Sequence, residues 1–328
     1  MRLREIYQIE FLGTLRDLDA KNRDGGSVGG GIITLLVIGF LLHWEHGDRQ
    51  LKKLRQSFFQ QNGGLLLHEK LSGRYADTLK IFTTQDLEFA TKNYCTENVI
   101  GRGGFGVVYK GILPNNQVVA IKKSLRVDPN QVEQFINEVL VLSQTKNKYV
   151  VKLLGCCLES EIPLLVYEFI NNGTLYDHLN DGVKASILKW PMRLKIASEV
   201  ANVLLYLHDT IVTPIIHRDM KSMNILLDES YTAKVIDFGA SRLIPPDQSQ
   251  FATMVLGTRG PEIEKFLAMH FLIKMKGGRL YDILDGNIVS EGTVEEIQQV
   301  ANLATWCLKL KGEERPTMKE VRIELESI

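Results

Sequence analysis

Cysteine is scarce in this sequence, and the few residues present lack the spacing of a metal site. The four residues, Cys95, Cys156, Cys157 and Cys307, are scattered along 328 positions, and the adjacent pair lies in an apolar run. This pattern predicts reduced, mostly buried thiols in a cytosolic domain. The first 27 residues contain no cysteine, so we expect no disulfide-stapled module there.

The sequence also lacks net charge. Its 39 basic residues balance 39 acidic ones, so the overall charge gives no reason to expect a nucleic-acid partner. No internal repeat stands out. Apolar residues make up 45% of the chain, which is typical of a packed protein and excludes a disordered tail.

One early stretch, Val28 to Trp44, carries no charge at all. Its length reaches the short limit of a membrane span. Basic residues on both sides weakly favour a cytoplasmic location for the part of the chain after Trp44. A signal-peptide core or a buried helix fits less well, because the stretch lies deep in the chain and includes three consecutive glycines. We therefore predict a short segment at 1–27 and a single transmembrane helix at 28–44.

The rest of the chain changes from linker-like to strand-rich and then to helical. Residues 45–93 are polar and broken by Asn-Gly-Gly at 62–64, which indicates a juxtamembrane linker with short helical pieces. A helix beginning near Pro129 interrupts a series of strand-like runs, and a second helix follows Pro191. The strand-like runs are VVYKGIL, QVVAIKK, YVVKLLG and LLVYEFI. We predict an α+β fold in which a small β-rich lobe precedes a helical lobe.

A glycine-rich stretch, GRGGFGVV, places Gly101, Gly103 and Gly106 in the pattern G-x-G-x-x-G. Alone it is a weak signal, because glycines admit phosphates to backbone amides in several nucleotide-binding folds. A dinucleotide fold would continue into a helix, whereas here a strand follows and ends at Lys122. Lys122 then suits a phosphate-binding cation, with Glu138 on the next helix as its ion-pair partner. The alternative is a surface glutamate, since Glu138 lies off the apolar stripe of its helix.

Two loops carry the decisive motifs. IIHRDMKSMNILL contains H-R-D-x-x-x-x-N, in which Asp219 can accept a hydroxyl proton and Asn224 can bind a magnesium ion. Thirteen residues after Asn224, Asp237 opens D-F-G, whose carboxylate bridges metal and phosphates. All four motifs occur in the expected order, which makes chance a poor explanation.

From Asn98 to Thr258 the chain resembles plant wall-associated receptor-like protein kinases, in phrases such as NQVVAIKKS, KLLGCCLE, LVYEFINNGTL and TAKVIDFGASRLIP. The tail GEERPTMKEV resembles the same family's last helices. The resemblance implies a two-lobed kinase fold at 94–328, with lobes at 94–170 and 171–328, that uses ATP and Mg²⁺. The implied catalytic residues are Asp219, Lys221, Lys122 and Glu138, and the implied metal ligands are Asn224 and Asp237. The implied nucleotide-binding residues are Ile100, Gly101, Gly103, Gly106, Val108, Ala120, Lys122, Glu168, Ile170 and Leu226.

The same resemblance implies finer features of specificity and control. Lys221, two residues after the base, matches serine/threonine kinases. Tyr167 occupies the gatekeeper position before the hinge that begins at Glu168. Arg218 matches kinases that are switched by activation-loop phosphorylation, because an arginine can pair with a phosphate. The candidate acceptors are Ser249, Thr253 and Thr258.

The stretch at 258–262 departs from the family pattern. That pattern continues with a substrate loop, a Pro-Glu motif and a central buried helix, whereas RGPEIEKF leads into what resembles a later helix. By this count roughly fifty residues of the helical lobe are missing. In the alternative alignment Pro261 and Glu262 are the Pro-Glu motif, with Glu262 paired to Arg315. A missing central helix would leave apolar surface uncovered on the helix Leu194–Leu207.

Two functions are compatible with this sequence. The first is a membrane-anchored receptor-like serine/threonine kinase at the plasma membrane, with a cytoplasmic kinase domain that acts on protein substrates in cell-surface signalling. The second is a catalytically impaired ATP-binding decoy or scaffold that partners intact kinases. A dinucleotide-dependent oxidoreductase is excluded, because it has no role for Lys122 or for the H-R-D and D-F-G loops.

Overall fold

The chain divides into two compact units, residues 1–57 and 58–328. In the computed structural model, the residues described are 27–71, 79–103, 106–124, 129–244 and 262–328. The candidate phosphorylation sites Ser249, Thr253 and Thr258 lie outside these ranges, as do residues 258–261 of the predicted seam.

Helix α1, Ser27–Gln61, contains the uncharged stretch and continues beyond it. Its second half is charged, and Arg49 pairs with Glu45 one turn earlier at 2.7 Å. The side chains of residues 27–34, where the predicted span begins, lie outside the described ones. Among the residues that are described, none of the helices has the length and apolar character needed to cross a bilayer. The transmembrane helix predicted at 28–44 is therefore not supported.

The second unit contains a sheet of six strands in the order β1-β5-β6-β4-β3-β2. All neighbours are antiparallel except β1 and β5. Three of the four predicted strands match closely. The run YVVKLLG is the exception, because its strand begins only at Leu153. The strands are β1 Lys80–Ile81, β2 Val99–Gly103, β3 Gly106–Ile112, β4 Val118–Lys123, β5 Leu153–Cys157 and β6 Leu164–Glu168.

Helices dominate the remainder, and threonine caps start several of them. Thr83, Thr174, Thr293 and Thr317 each form a capping box with an acidic residue three positions later, which satisfies free amides of the first turn. The helices after α1 are α2 Gly64–Leu71, α3 Thr84–Thr91, α4 Pro129–Gln144, α5 Leu175–Asn180, α6 Gly182–Ile187, α7 Trp190–Leu205, α8 Glu262–Lys276, α9 Gly286–Glu291, α10 Val294–Cys307 and α11 Met318–Ser327. The predicted α+β fold, with a β-rich lobe followed by a helical lobe, is confirmed.

Two small two-stranded sheets anchor the loops that carry the motifs. Strand β7, Ile215–Ile216, pairs with β10, Arg242–Leu243, and β8, Ile225–Leu227, pairs with β9, Ala233–Val235. The H-R-D loop runs from β7 to β8, and the D-F-G motif follows β9 directly. Both loops are therefore anchored at each end by paired strands.

The main buried cluster joins the sheet, helix α4 and the loops of the helical lobe. Its central members are Phe135, Val139, Leu142, Leu153, Leu165, Leu207, Ile215, Val235 and Phe238. Because one apolar cluster spans both lobes, the two motif loops pack against the same core as α4. Cys156 and Cys157 are also buried, as predicted, whereas Cys95 is half-buried and Cys307 is exposed.

Helix α7 carries the apolar surface for which the sequence predicts no covering central helix. Helices α10 and α11 cover part of it, through a cluster of Ala201, Leu303 and Val321. Another part lines an apolar groove of about 400 Å³ between α5, α7 and α11. The groove is lined by Leu175, Ile196, Ala197, Val200, Leu204, Met318, Val321 and Leu325, among others.

Candidate active site

The Lys122 ammonium lies between two carboxylates. Its Nζ donates to Glu138 Oε2 at 3.0 Å and to Asp237 Oδ1 at 2.9 Å. Strand β4 presents Lys122, helix α4 presents Glu138, and the loop after β9 presents Asp237. Glu138 is only 3% exposed, so the alternative of a surface glutamate is wrong.

Burial and the neighbouring charges have opposite effects on the pKa of Lys122. Burial by itself lowers the pKa of Lys122, but the carboxylates of Glu138 and Asp237 raise it above its ordinary value. Burial likewise opposes ionisation of Asp237, yet Lys122 holds the pKa of that carboxyl below its ordinary value. The charged forms therefore persist at neutral pH, and Lys122 is held as a fixed cation.

Tyr167 adds a hydrogen bond that the sequence did not indicate. Its phenolic oxygen donates to Glu138 Oε1 at 2.6 Å, while Lys122 bonds the other oxygen. Burial, followed by the nearby Glu138 charge, raises the pKa of Tyr167 well above its ordinary value, so it remains a donor. Strand pairing aligns Tyr167 with Ala120 on β4. Both oxygens of Glu138 are thus fixed by the sheet.

Asp219 lies at the centre of the H-R-D loop. Lys221 Nζ donates to Asp219 Oδ2 at 2.8 Å, and Asn224 Nδ2 donates to the same oxygen at 3.0 Å and to the Asp219 carbonyl at 2.8 Å. A short 3₁₀ turn, Ser222–Asn224, bends the loop so that Asn224 faces back to Asp219. Within the described part of the chain these donors hold Asp219 through Oδ2 and leave Oδ1 for another partner.

His217 links the H-R-D loop to the D-F-G loop. Its Nε2 bonds the Ile236 carbonyl at 2.9 Å, and its Nδ1 accepts the Asp219 amide at 3.3 Å. Its ring lies 4.7 Å from the buried ring of Phe238. Burial lowers the pKa of His217, which agrees with a neutral imidazole that donates through Nε2 and accepts through Nδ1.

Asn137, beside Glu138 on α4, holds the backbone of the D-F-G loop. Its amide nitrogen faces the carbonyls of Phe238 and Gly239, each at 3.2 Å, and of Ser241 at 2.8 Å. The amide has two hydrogens, so these three acceptors share them. Sequence reasoning missed Asn137, because its partners are backbone atoms about a hundred residues away.

Most of the predicted nucleotide-binding residues lie on strands of the six-stranded sheet, whereas Leu226 lies on β8. Gly101 pairs with Val108, Val108 with Lys122, and Glu168 with Val119. Gly101, Val108, Lys122 and Glu168 are half-buried, Gly103 and Ile100 are exposed, and Gly106 is buried. The remaining members, Ala120, Ile170 and Leu226, are half-buried.

Gly106 cannot carry a side chain in this position. Its φ is +154°, and a Cβ would lie 2.4 Å from the Lys123 carbonyl oxygen. Glu168, which the resemblance predicts to begin the hinge, also has a partner, since Lys234 Nζ donates to its carboxylate at 3.1 Å. A cavity of about 40 Å³ lies among Lys122, Asp219 and Asp237. The cleft therefore brings the predicted cation, acid and metal ligands together.

Asn224 and Asp237 suit a magnesium ion. Asn224 uses its nitrogen for Asp219, which leaves its carbonyl oxygen as a ligand, and Asp237 has a second carboxylate oxygen besides the one bound to Lys122. Mg²⁺ prefers oxygen ligands and often takes only one or two from the protein, with phosphates and water supplying the rest. The donor set therefore fits the ion.

Arg315 does not contribute to this cleft. Its guanidinium donates to the carbonyls of Lys309 and Leu310 at 2.6 and 3.3 Å. The side chain of Glu262, its partner in the alternative alignment, lies outside the described ones. That pairing therefore stays a prediction.

Comparisons with known proteins agree with this geometry. Residues 94–262 match the family model for protein tyrosine and serine/threonine kinases. The chain is 47% identical to wall-associated receptor kinase 5 of Arabidopsis thaliana, over 92% of this chain and 47% of the relative. It is 46% identical to putative wall-associated receptor kinase-like 16 of the same plant, over 89% of this chain and 77% of the relative. The chain spans about half the length of several curated relatives that it matches.

The alignments are longer than the part of this chain that they cover. The match to wall-associated receptor kinase 5 extends over 344 positions yet uses 92% of 328 residues, so about 40 positions face gaps in this chain. The match to wall-associated receptor kinase 1 extends over 346 positions and uses 90%. These relatives therefore contain residues within the matched region that this chain lacks.

Proposed function

Because the chain belongs to the protein tyrosine and serine/threonine kinase family, we propose that it transfers the γ-phosphate of ATP to serine and threonine hydroxyls of protein substrates. The observation that carries this proposal is the closed arrangement of Lys122, Glu138 and Asp237 next to Asp219 and Asn224. Each group suits one task in phosphoryl transfer.

Asp219 is the proposed base. The substrate oxygen forms a bond to the γ-phosphorus, the bond between that phosphorus and the β–γ bridging oxygen breaks, ADP leaves, and the hydroxyl proton passes to Asp219. Lys221, 2.8 Å from Asp219 Oδ2, holds the carboxylate and places positive charge beside the reacting group. This lysine also supports serine and threonine as acceptors.

Lys122 is the proposed phosphate-binding cation, and Glu138 keeps it in place. When bound, Mg²⁺ neutralises negative charge on the phosphates, and Asn224 and Asp237 would hold it. In this structure Asp237 bonds Lys122 directly, at 2.9 Å. If Mg²⁺ and ATP bind, we expect Lys122 to turn towards the phosphates and Asp237 to turn towards the metal.

A second candidate function is ATP binding without efficient transfer. It is favoured by the roughly 40 alignment positions that this chain lacks and by the apolar groove along α7. Orientation of the acceptor supplies much of the rate in phosphoryl transfer, so a shortened helical lobe would lower the rate while leaving the nucleotide site intact. In that case the chain would act as a scaffold or decoy for intact kinases.

One experiment separates the two. The purified full chain is assayed for Mg²⁺-ATP binding by calorimetry and for autophosphorylation with labelled ATP, beside Asp219→Asn. A kinase transfers phosphate at least about a hundredfold faster than Asp219→Asn, which is the usual worth of a general base. Equal, negligible transfer with normal ATP binding supports the scaffold. Absence of ATP binding contradicts both.

We further infer a role in cell-surface signalling, on the ground that the relatives are named receptor kinases. The kinase domain would then lie on the cytoplasmic face of the plasma membrane. Fractionation of plant cells that express the full chain tests this placement. Recovery in the high-speed supernatant without detergent would contradict it.

A further inference from the structure

A segment outside the matched domain packs as tightly as the core inside it. Residues 58–71, which we call the brace, precede the family match at 94–262 and belong to the same compact unit as the kinase lobes. Asn62 and Leu67 are each 2% exposed, and Leu71 is buried as well. A polar linker would leave these side chains in water, so the brace is an integral layer of the β-rich lobe.

Asn62 fastens the brace to the sheet. Its side-chain nitrogen donates to the Leu158 carbonyl at 2.9 Å and to the Ser160 carbonyl at 2.8 Å, so both of its hydrogens are used. These carbonyls lie at the end of β5 and in the turn that leads to β6. A buried amide whose donors both reach distant backbone fixes position in a way that an apolar contact does not.

Two glycines then shape the turn between α1 and α2, and the first of them lies against helix α4. Gly63 has a φ of +77°, and a Cβ there would lie 3.0 Å from Ile136 Cδ1. At Gly64 a Cβ would lie 2.5 Å from the ring of Phe59. Helix α2 follows, and Leu67 and Leu71 join the cluster that contains Ile136. The brace therefore covers one face of α4.

The opposite side of α4 carries the residue that matters for catalysis. Ile136 and Glu138 are two residues apart, which places them about 200° apart around a helix. Ile136 meets the brace, while Glu138 meets Lys122 and Tyr167. Helix α4 is thus held between the brace and the sheet.

We propose that the brace holds α4 where Glu138 reaches Lys122, and that Asn62 is a positioning residue for phosphoryl transfer. This inference rests on the proposed kinase function for its kinetic consequence and on geometry alone for its structural one. If the brace detaches, Ile136 and its apolar neighbours are exposed on one side. An outward displacement of α4 then costs less, and Glu138 leaves Lys122 more often.

The test compares Asn62→Ala with Asn98→Ala in the full chain. Asn98 lies in the same lobe and also donates its side-chain amide to a backbone carbonyl, that of Thr91 at 2.8 Å, but away from α4. Hydrogen exchange measured by mass spectrometry follows the backbone amides of α4. We expect Asn62→Ala to raise exchange in α4 by at least about fivefold, since two hydrogen bonds of a buried amide are lost. Asn98→Ala should leave α4 unchanged.

The kinetic arm measures transfer at saturating ATP and the KM for ATP, well below the melting temperature of each variant. We expect Asn62→Ala to reduce kcat and to raise KM by a similar factor, whereas a variant that is only less stable keeps both values in its folded fraction. Gly63→Ala provides a second variant, because it strains the same turn without changing any hydrogen-bonding side chain.

The outcomes separate this inference from the proposed function. If the wild-type chain transfers no phosphate, the proposed function fails, but exchange in α4 still reports on the brace. If Asn62→Ala and Gly63→Ala both match the wild-type chain in α4 exchange, the inference is wrong. Faster exchange in α4 without any change in an active enzyme's kcat or KM would contradict the positioning role.

Discussion

The β-rich lobe and the far side of the helical lobe differ in how they are held together. Around Lys122, each polar group has a partner on another element: Glu138 from α4, Tyr167 from β6 and Asp237 from the D-F-G loop. Along α7 the structure instead has an apolar groove of about 400 Å³. The polar groups around Lys122 are therefore held by direct contacts between elements, whereas the apolar surface of α7 is only partly covered.

The sharpest way to test the tightly held lobe is to remove its central cation. Lys122→Met keeps most of the side-chain volume but leaves the carboxylates of Glu138 and Asp237 buried without it. Removing one member of a buried ion pair costs about 3–5 kcal/mol, and partial exposure of Lys122 reduces this to about 2–4 kcal/mol. Urea unfolding of the full chain at pH 7 measures the loss, and ATP binding should weaken as well.

Lys123→Met is the matched control. Lys123 is the next residue on β4, and its ammonium lies 4.4 Å from the centre of the Tyr94 ring. Both side chains are half-buried, and such a cation–π contact contributes about 1 kcal/mol, so the control should lose less stability than Lys122→Met. Equal losses of unfolding free energy in the two variants would show that the contacts of Lys122 with Glu138 and Asp237 add no more stability than a cation–π contact.

Asn137→Ala should have the next largest effect. It removes the donor shared by the Phe238, Gly239 and Ser241 carbonyls. The free energy of unfolding should fall by about 1–3 kcal/mol. Because this backbone carries Asp237, affinity for Mg²⁺-ATP should fall as well. Calorimetric titration with Mg²⁺-ATP measures this change in affinity. Asn302→Ala, which removes an exposed hydrogen bond with Gln298, should leave the affinity unchanged.

The sequence predicted strands and motifs better than contacts between them. Alternation, turn residues and helical spacing are local, so the sequence could predict three of the four strands closely and the start of α4 at Pro129. The same local spacing placed Glu138 off the apolar stripe of its helix, so a surface position for this residue remained a possible interpretation. Its burial depends on Lys122 and Tyr167, which reach it across the sheet. Asn62 and Asn137 bond backbone carbonyls about a hundred residues away, and nothing in their own neighbourhood signals this.

Helix α1 shows another limit of local pattern. The uncharged stretch at 28–44 satisfied a length rule for a membrane span, but a composition rule does not determine where a helix ends. In the structure the helix continues to Gln61 through charged residues that stabilise it by pairs such as Glu45 and Arg49. The roles of individual site residues, as opposed to their positions, remain predictions for the experiments above.

His217, which links the two motif loops, should make the free energy of unfolding depend on pH, with a smaller effect than the variants above. Burial lowers the pKa of His217, so between that value and the ordinary value of about 6.5 the unfolded chain binds a proton that the folded chain does not. Stability should therefore fall as pH drops from 7 towards 5, by at most about 1.4 kcal/mol per pH unit from this group. His217→Phe should be less stable at pH 7, because its hydrogen bond to Ile236 is lost, but its stability should change less with pH.

Urea unfolding at several pH values measures both slopes. His270→Phe, a change at an exposed position of α8, is the control and should keep the wild-type slope. If His217→Phe has the same slope as the wild-type chain, the imidazole is not held neutral by its burial, and the coupling of the two loops through His217 needs another explanation.

The smallest expected effect tests the loosely packed side of the comparison. Ala197 lines the groove along α7, and Ala197→Leu adds apolar surface that the groove can accommodate, for a gain of about 0.5–1 kcal/mol. Ala301→Leu makes the same chemical change where Trp190 and Ile297 already pack, and overpacking there costs about 1–3 kcal/mol. Urea unfolding of both variants decides between two states of the helical lobe. Opposite signs mean that the groove is open in the folded chain, so that the lobe tolerates a missing layer at α7. Equal losses mean that another part of the chain fills the groove in solution, and the contrast between the two lobes then disappears.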